Sequence, residues 1–153
     1  MTSTGTTVMI ELAIEGVDLR EKIEAFPVSG ALYRLARSPG AAQGAARGDL
    51  VCLHGDGTFD VISRSGSIAI QLLSEQSRRL DEALSRVRPA LGALGGEEDG
   101  RTDHVAVFTI SVDVGFAKIE RAMSSSLRSF PEVHWMYGNV YAADGKTPLR
   151  WWE

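Results

Sequence analysis

Residues 67–91, SIAIQLLSEQSRRLDEALSRVRPAL, contain the change of hydrophobic period on which the predicted fold depends. The first seven residues, Ser67–Leu73, form a short apolar run that predicts a strand. After Ser74 the apolar residues recur at helical spacing, at Leu80, Leu84, Val87 and Leu91. Ser74 is suited to cap this helix and Pro89 should kink or end it.

The chain beyond this helix again alternates between strand and helix patterns. Residues 94–103 are rich in glycine and acidic side chains, and they predict a solvated connection. Residues 105–112 predict a strand, residues 116–129 carry an apolar helical stripe, and residues 133–141 predict a further strand. The order strand, helix, strand, helix, strand predicts a split βαβ, ferredoxin-like sheet with its helices on one face.

The first part of the chain is predicted to consist of short antiparallel strands. Residues 7–15 alternate apolar and polar side chains, as a half-buried strand does, and four further strand patterns follow, at 20–26, 31–36, 50–54 and 58–63. We therefore expect an α+β protein in which residues 7–73 form a barrel-like, strand-rich half and residues 74–153 the βαβ-type half, as one compact unit. Residues 1–6 are expected to be disordered.

Composition and charge restrict the classes of function. The 153 residues include 16 basic and 20 acidic side chains, a net charge of −4, which does not favour nucleic acid as a partner. No apolar stretch is long enough to span a membrane, and the first residues do not resemble a signal peptide. The single cysteine, Cys52, agrees with a reducing compartment, so we expect a soluble protein of the cytoplasm.

A block in the first half carries a family resemblance. It comprises the segments EAFPV at residues 24–28 and GALYRL at residues 30–35, then Pro39, GDLV at residues 48–51, and the later residues Phe59, Val61, Ile62, Arg64, Ser65 and Gly66. This pattern resembles the bacterial domain-of-unknown-function 4265 family. The proteins of this family are similar in length, so the resemblance implies a similar fold, and it supplies no catalytic residue. The glycines of the block, Gly30, Gly48 and Gly66, are expected at turns that need positive φ.

No motif in the chain predicts catalysis, a cofactor or a metal. Cys52 and His54 share one face of a strand, but no second pair of ligands at metal-binding spacing accompanies them. Gly55 and Gly57 lack the remainder of a dinucleotide-binding fingerprint and predict a hairpin turn. We therefore expect no catalytic residue, no cofactor and no metal, and hence no enzyme.

Two hypotheses of different class remain. The first is a non-enzymatic protein-binding protein, an immunity or antitoxin-like inhibitor of a cognate and basic bacterial toxin. Its contact residues would be Glu97, Glu98, Asp99, Asp103, Trp151 and Trp152, because charged loops and exposed tryptophans often form interfaces.

The second hypothesis is a small-ligand-binding protein or enzyme with a cleft between the two halves. Its site residues would come from Asp49, Cys52, His54, His104 and His134. Self-assembly through residues 133–141 is a third possibility, so the oligomeric state is left open.

Overall fold

The computed structural model describes residues 5–153, and these form two antiparallel sheets with two α-helices. The predicted disordered N-terminus, residues 1–6, lies mostly outside the described residues. The strands are β1 Val8–Ala13, β2 Arg20–Ser29, β3 Leu32–Leu35, β4 Leu50–Leu53, β5 Phe59–Ser63, β6 Ser67–Leu73, β7 Glu97–Arg101, β8 Val105–Ser111 and β9 His134–Tyr137. The α-helices are α1 Ser77–Gly92 and α2 Phe116–Ser126, and a 3₁₀ turn at Val112–Val114 precedes α2.

The first sheet is an open meander in the order β1-β2-β3-β4-β5. Alternating side chains of these strands bury a small core, in which Leu12, Ile23 and Val51 are fully buried. The sheet curls until the Ala13 N–H of β1 donates to the Gly57 carbonyl in the β4–β5 turn at 2.8 Å. This confirms a curled, strand-rich N-terminal part, which does not close into a barrel.

The second sheet has the order β7-β8-β6-β9, and the elements from β6 onward follow the sequence βαββαβ. All of its pairings are antiparallel. On one face, Ile70 of β6 and Phe108 of β8 pack in one core with Leu84 of α1 and Met123 of α2. This arrangement confirms the ferredoxin-like half predicted from the period change at Ser74.

One boundary and one strand differ from the expectation. Residues 67–73 were expected in the strand-rich half, but β6 lies at the centre of the second sheet between β8 and β9. The division between the sheets therefore falls in the turn between β5 and β6. Residues 94–103 include the strand β7, which pairs with β8 through a bulge between Glu98 and Gly100. The acidic composition concealed this strand because its charges pair with side chains of the fold, as shown below.

The loop at residues 38–48 connects β3 to β4 along the chain, and it joins the two halves through hydrogen bonds to both sheets. It covers the face of the second sheet opposite the helices, where Gln71 Nε2 donates to two of its backbone carbonyls at 3.0 and 3.2 Å. On the other side, the Glu21 carboxylate of β2 accepts bonds of 2.7–3.0 Å from the backbone N–H groups of residues 40–42. Because both sheets bond to the same backbone, the loop holds them in one arrangement.

No helix among residues 5–153 is long and apolar enough to cross a bilayer.

Candidate functional site

An open groove with a volume of about 870 Å³ runs along the outer edge of β9. Its walls are β9, the exposed side of α2, the turn after β1, the joining loop and the chain after β9. The side chains that shape it are Glu15, Gln43, Glu120, Trp135, Met136, Tyr137 and Tyr141. This volume lies within the range of about 300–1,000 Å³ that is usual for ligand sites.

The aromatic part of the groove follows from the alternation of side chains along β9. Tyr137 lies opposite Ile70 and Trp135 opposite Leu72, so both rings point to the helix side of the sheet. Their ring centroids are 5.0 Å apart in an edge-to-face arrangement, and the Tyr141 ring lies 6.4 Å from that of Tyr137. The three rings therefore form one continuous apolar surface.

Two carboxylates give the groove a negative character. Glu120 of α2 accepts a bond of 2.9 Å from the Tyr137 hydroxyl, and Glu15 contributes from the turn after β1. Burial, followed by the hydrogen bond to Glu120, raises the pKa of Tyr137, so the phenol stays a neutral donor. The residues that line this groove include no lysine, arginine or histidine. A positively charged group is therefore the ligand that the groove complements.

A second hollow, of about 620 Å³, adjoins the groove and shares Glu15, Gln43 and Tyr141 with it. Arg64 lies there, but its guanidinium is already occupied. It donates to the Gly44 carbonyl at 2.7 Å and stacks on the Trp151 ring at 5.4 Å. Burial lowers the pKa of Arg64, and the nearby Asp49 carboxylate opposes this effect.

The predicted acidic contact residues serve different purposes in the structure. Asp99 is 3% exposed and accepts bonds from the Ser38 N–H and the Thr109 hydroxyl at 2.7 and 2.6 Å, with Arg47 Nη1 at 2.8 Å. It therefore belongs to the junction of the halves and is inaccessible to a partner.

The other three acidic candidates lie nearer the surface. Glu98 pairs with Arg88 of α1, with bonds of 2.8 and 3.1 Å. Glu97 is 69% exposed and reaches Arg47 at 3.4 Å, and Asp103 is exposed. Of the four acidic candidates, Glu97 and Asp103 are the ones that keep an accessible carboxylate.

The predicted aromatic contact residues, Trp151 and Trp152, pack against the core of the second half. Trp151 Nε1 donates to the Asn139 carbonyl at 2.8 Å, and the Trp152 ring lies 5.0 Å from that of Phe116. Both side chains are half-buried, so they anchor the C-terminal segment to the fold. Any contact with a partner would use only their remaining exposed edges.

The residues proposed for a cleft enzyme do not converge in the groove. Asp49 is buried in the junction, where it accepts bonds from the Ala46 and Ser65 N–H groups at 3.0 and 2.8 Å. These bonds hold the turn before β4 and leave the carboxylate without access to a ligand. Of the remaining four, Cys52 lies in β4 with His54 directly after it, and His104 precedes β8 while His134 begins β9. None of these four lines the groove. Across residues 5–153, no group of three His, Cys, Asp or Glu side chains is placed to hold a metal.

A cleft thus exists between the two halves, but its residues differ from those proposed. Trp135, Tyr137 and Tyr141 lie in the segment 133–141 that the sequence predicts as a strand. Glu15 and Glu120 carried no comparable signal, because one follows β1 and the other lies on the exposed side of α2. Only the packing of the two halves brings them to one groove.

Comparison with known proteins supports the fold and the family. The structure of a hypothetical protein from Neisseria gonorrhoeae resembles this chain with a TM-score of 0.63 and 10% identity, covering 90% of this chain and 96% of that one. At this identity the likeness shows a shared fold alone. No curated protein matches the chain significantly. The model of the family described as "Domain of unknown function (DUF4265)" matches residues 21–130, and the chain belongs to this family.

Proposed function

We propose that this chain is a non-enzymatic protein-binding protein whose groove along β9 receives a positively charged segment of its partner. The observation that carries the proposal is the composition of the groove: three aromatic rings and two carboxylates, without a basic side chain among the lining residues. Lysine and arginine side chains pack their stems on aromatic rings and pair their charge with carboxylates. A binding role agrees with a lining that contains neither histidine nor cysteine.

The inhibitor hypothesis is kept with a different contact surface, because a basic toxin is compatible with the charge of the groove. A basic toxin domain in the cytoplasm is the partner that the acidic composition favours, and the chain would act by occupying a basic segment of it. We assign the contact surface to the groove instead of the β7 region and the C-terminal tryptophans, because Asp99 and Trp151 are hydrogen-bonded within the fold. An inhibitor would then need no catalytic group of its own.

Short peptides of defined charge test this function. The probe is a hexapeptide of alternating lysine and valine with both ends blocked, and its counterpart carries glutamate in place of lysine. We expect the lysine peptide to bind, as measured by tryptophan fluorescence and calorimetry, and its affinity to fall as salt rises because charges are screened. The glutamate peptide should not bind. Equal binding of both peptides, or of neither, would contradict the proposal.

Charge-neutralising variants locate the binding. Glu15→Gln and Glu120→Gln should each lower the affinity for the lysine peptide by about fivefold, which is the effect of losing one partly exposed ion pair. Glu24→Gln makes the same charge change on the exposed outer side of β2 and should leave binding unchanged. If Glu24→Gln weakens binding as much as the groove variants, the peptide is responding to net charge and the groove is not its site.

A small organic cation is the second candidate ligand, favoured by the groove volume of about 870 Å³. Free lysine amide distinguishes the two. If it binds as tightly as the hexapeptide, the groove holds a single cationic group and the chain is a small-ligand-binding protein.

A further inference from the structure

The free edge of β9 offers backbone hydrogen bonds at the floor of the groove. β9 is the terminal strand of its sheet and pairs with β6 on one side only. The Gly138 N–H donates to the Ala69 carbonyl at 2.8 Å, so this pair is hydrogen-bonded. Since bonded pairs alternate along an antiparallel ladder, Met136 and His134 also face β6. The N–H and C=O groups of Trp135 and Tyr137 therefore point outward, away from β6.

The opposite edge of the same sheet carries two protective devices that β9 lacks. β7 contains the bulge between Glu98 and Gly100 and carries charged side chains at most of its positions. Bulges and charges are the usual devices that prevent another strand from pairing with an edge. The sequence of β9, HWMY, contains no proline, lysine or acidic residue, and its pairing with β6 is regular. An edge without bulges or charges beside a groove is suited to receive an extended chain.

We infer that the partner segment binds as an added strand on β9, with its basic side chains on the side of α2. The inference rests on the proposed function and adds the mode of recognition. Residues directly opposite each other in an antiparallel pair point to the same face. A segment residue opposite Tyr137 would therefore direct its side chain toward Glu120, whose carboxylate already accepts the Tyr137 hydroxyl.

Charge selects a basic segment over a second copy of this chain. Pairing of β9 with the β9 of another molecule would bring two acidic grooves together, each with Glu15 and Glu120, and like charges oppose such an approach. A segment with lysine or arginine at every second position places its cations on one side and its backbone against the strand. The occupant is thus an extended basic segment of another protein.

N-methylated peptides test strand addition separately from charge. In the alternating lysine–valine hexapeptide, all lysine N–H groups point to one edge and all valine N–H groups to the other. One isomer carries N-methyl groups on its lysines and the other on its valines, so the two are matched in charge and in methyl count. Only the isomer whose methyl groups face β9 should lose affinity, by about tenfold for each hydrogen bond of about 1.4 kcal/mol. Loss on lysine methylation indicates antiparallel addition, and loss on valine methylation indicates parallel addition.

A pair of protein variants supplies the same test from the other side. Trp135→Pro removes an N–H that points away from β6, a position where an edge strand tolerates proline, whereas Trp135→Ala removes the ring and keeps the N–H. Trp135→Pro should bind the parent peptide about tenfold more weakly than Trp135→Ala. Circular dichroism checks that both variants fold, and the peptide isomers remain decisive if the proline variant does not.

The outcomes separate the two proposals. If the parent peptide binds with charge selectivity but both methylated isomers bind equally well, strand addition is wrong and the groove function stands. If the parent peptide does not bind, both proposals fail. A dimer on size-exclusion chromatography that Trp135→Pro dissociates would show that a second copy covers this edge, and would also overturn the inference.

Discussion

Replacing Asp99 with alanine should destabilise the fold far more than replacing Glu97 with alanine, although both residues lie in β7 and both approach Arg47. The Asp99 carboxylate is 3% exposed and accepts bonds from a backbone N–H, a hydroxyl and a guanidinium, whereas the Glu97 side chain is 69% exposed. Removing one partner of a buried charged network leaves the others unsatisfied and costs about 3–5 kcal/mol. Removing an exposed partner costs less than about 1 kcal/mol.

Urea denaturation followed by circular dichroism measures this difference. With a denaturant slope of about 2 kcal/mol per molar, the Asp99→Ala midpoint should fall by about 1.5–2.5 M and the Glu97→Ala midpoint by less than about 0.5 M. Asp99→Asn should lie between them, because the amide oxygen still accepts hydrogen bonds but the charge opposite Arg47 is lost. Similar midpoints for the two alanine variants would refute the conclusion that Asp99 joins the two halves.

Three further changes have defined outcomes. Gly48→Ala should cost about 2–3 kcal/mol, because φ is +88° and the new Cβ would lie 2.8 Å from Ser65 Cβ, whereas Gly145→Ala, at φ +71° with nothing within 4 Å, should cost about 1 kcal/mol; thermal melts compare them. Folding raises the pKa of the Tyr137 phenol, so the folded protein binds this proton more tightly than the unfolded chain does. The contribution of this group to the free energy of unfolding is therefore complete below pH 10.0, the ordinary pKa, and is lost as the pH rises above it. Tyr137→Phe should flatten this alkaline decline in a series of urea titrations, and an unchanged slope would contradict the assignment. Trp151→Ala should lower the free energy of unfolding in urea by about 2 kcal/mol, since it removes a half-buried ring and a hydrogen bond to a carbonyl. A variant as stable as the parent would show that the ring does not anchor the C-terminal segment, and Trp151 would again be a candidate contact residue.

The sequence predicted those elements whose pattern depends on local periodicity. The alternation in β1 and the helical spacing from Leu80 to Leu91 reflect one buried face each, and both elements are where the pattern indicated. The turn glycines Gly30, Gly48 and Gly66 all have positive φ, as expected. Pro89 lies inside α1, which continues to Gly92, so the proline does not end the helix.

The features that sequence reasoning missed depend on distant partners. The charged sequence of β7 is typical of a polar loop. In the fold, two of these charges form ion pairs with residues outside the strand, Glu98 with Arg88 and Arg101 with Asp81. Asp99, unlike Glu97, is buried by its contacts with Thr109 of the paired strand β8 and with Ser38, which is 61 residues away in the sequence. The groove has the same character, since its two carboxylates are more than one hundred residues apart in the sequence. No local pattern encodes such meetings.

The loop at residues 38–48 has a consequence for how this protein could be divided. It connects β3 to β4 within the first sheet, its Gly, Ala and Pro content is typical of an exposed loop, and Arg47 offers trypsin a site. Much of this segment is buried, however, and cutting it away would uncover Gln71 and Thr109 on the underside of the second sheet without their partners. Neither half should survive alone, and the joining segment should outlast exposed turns in a protease time course.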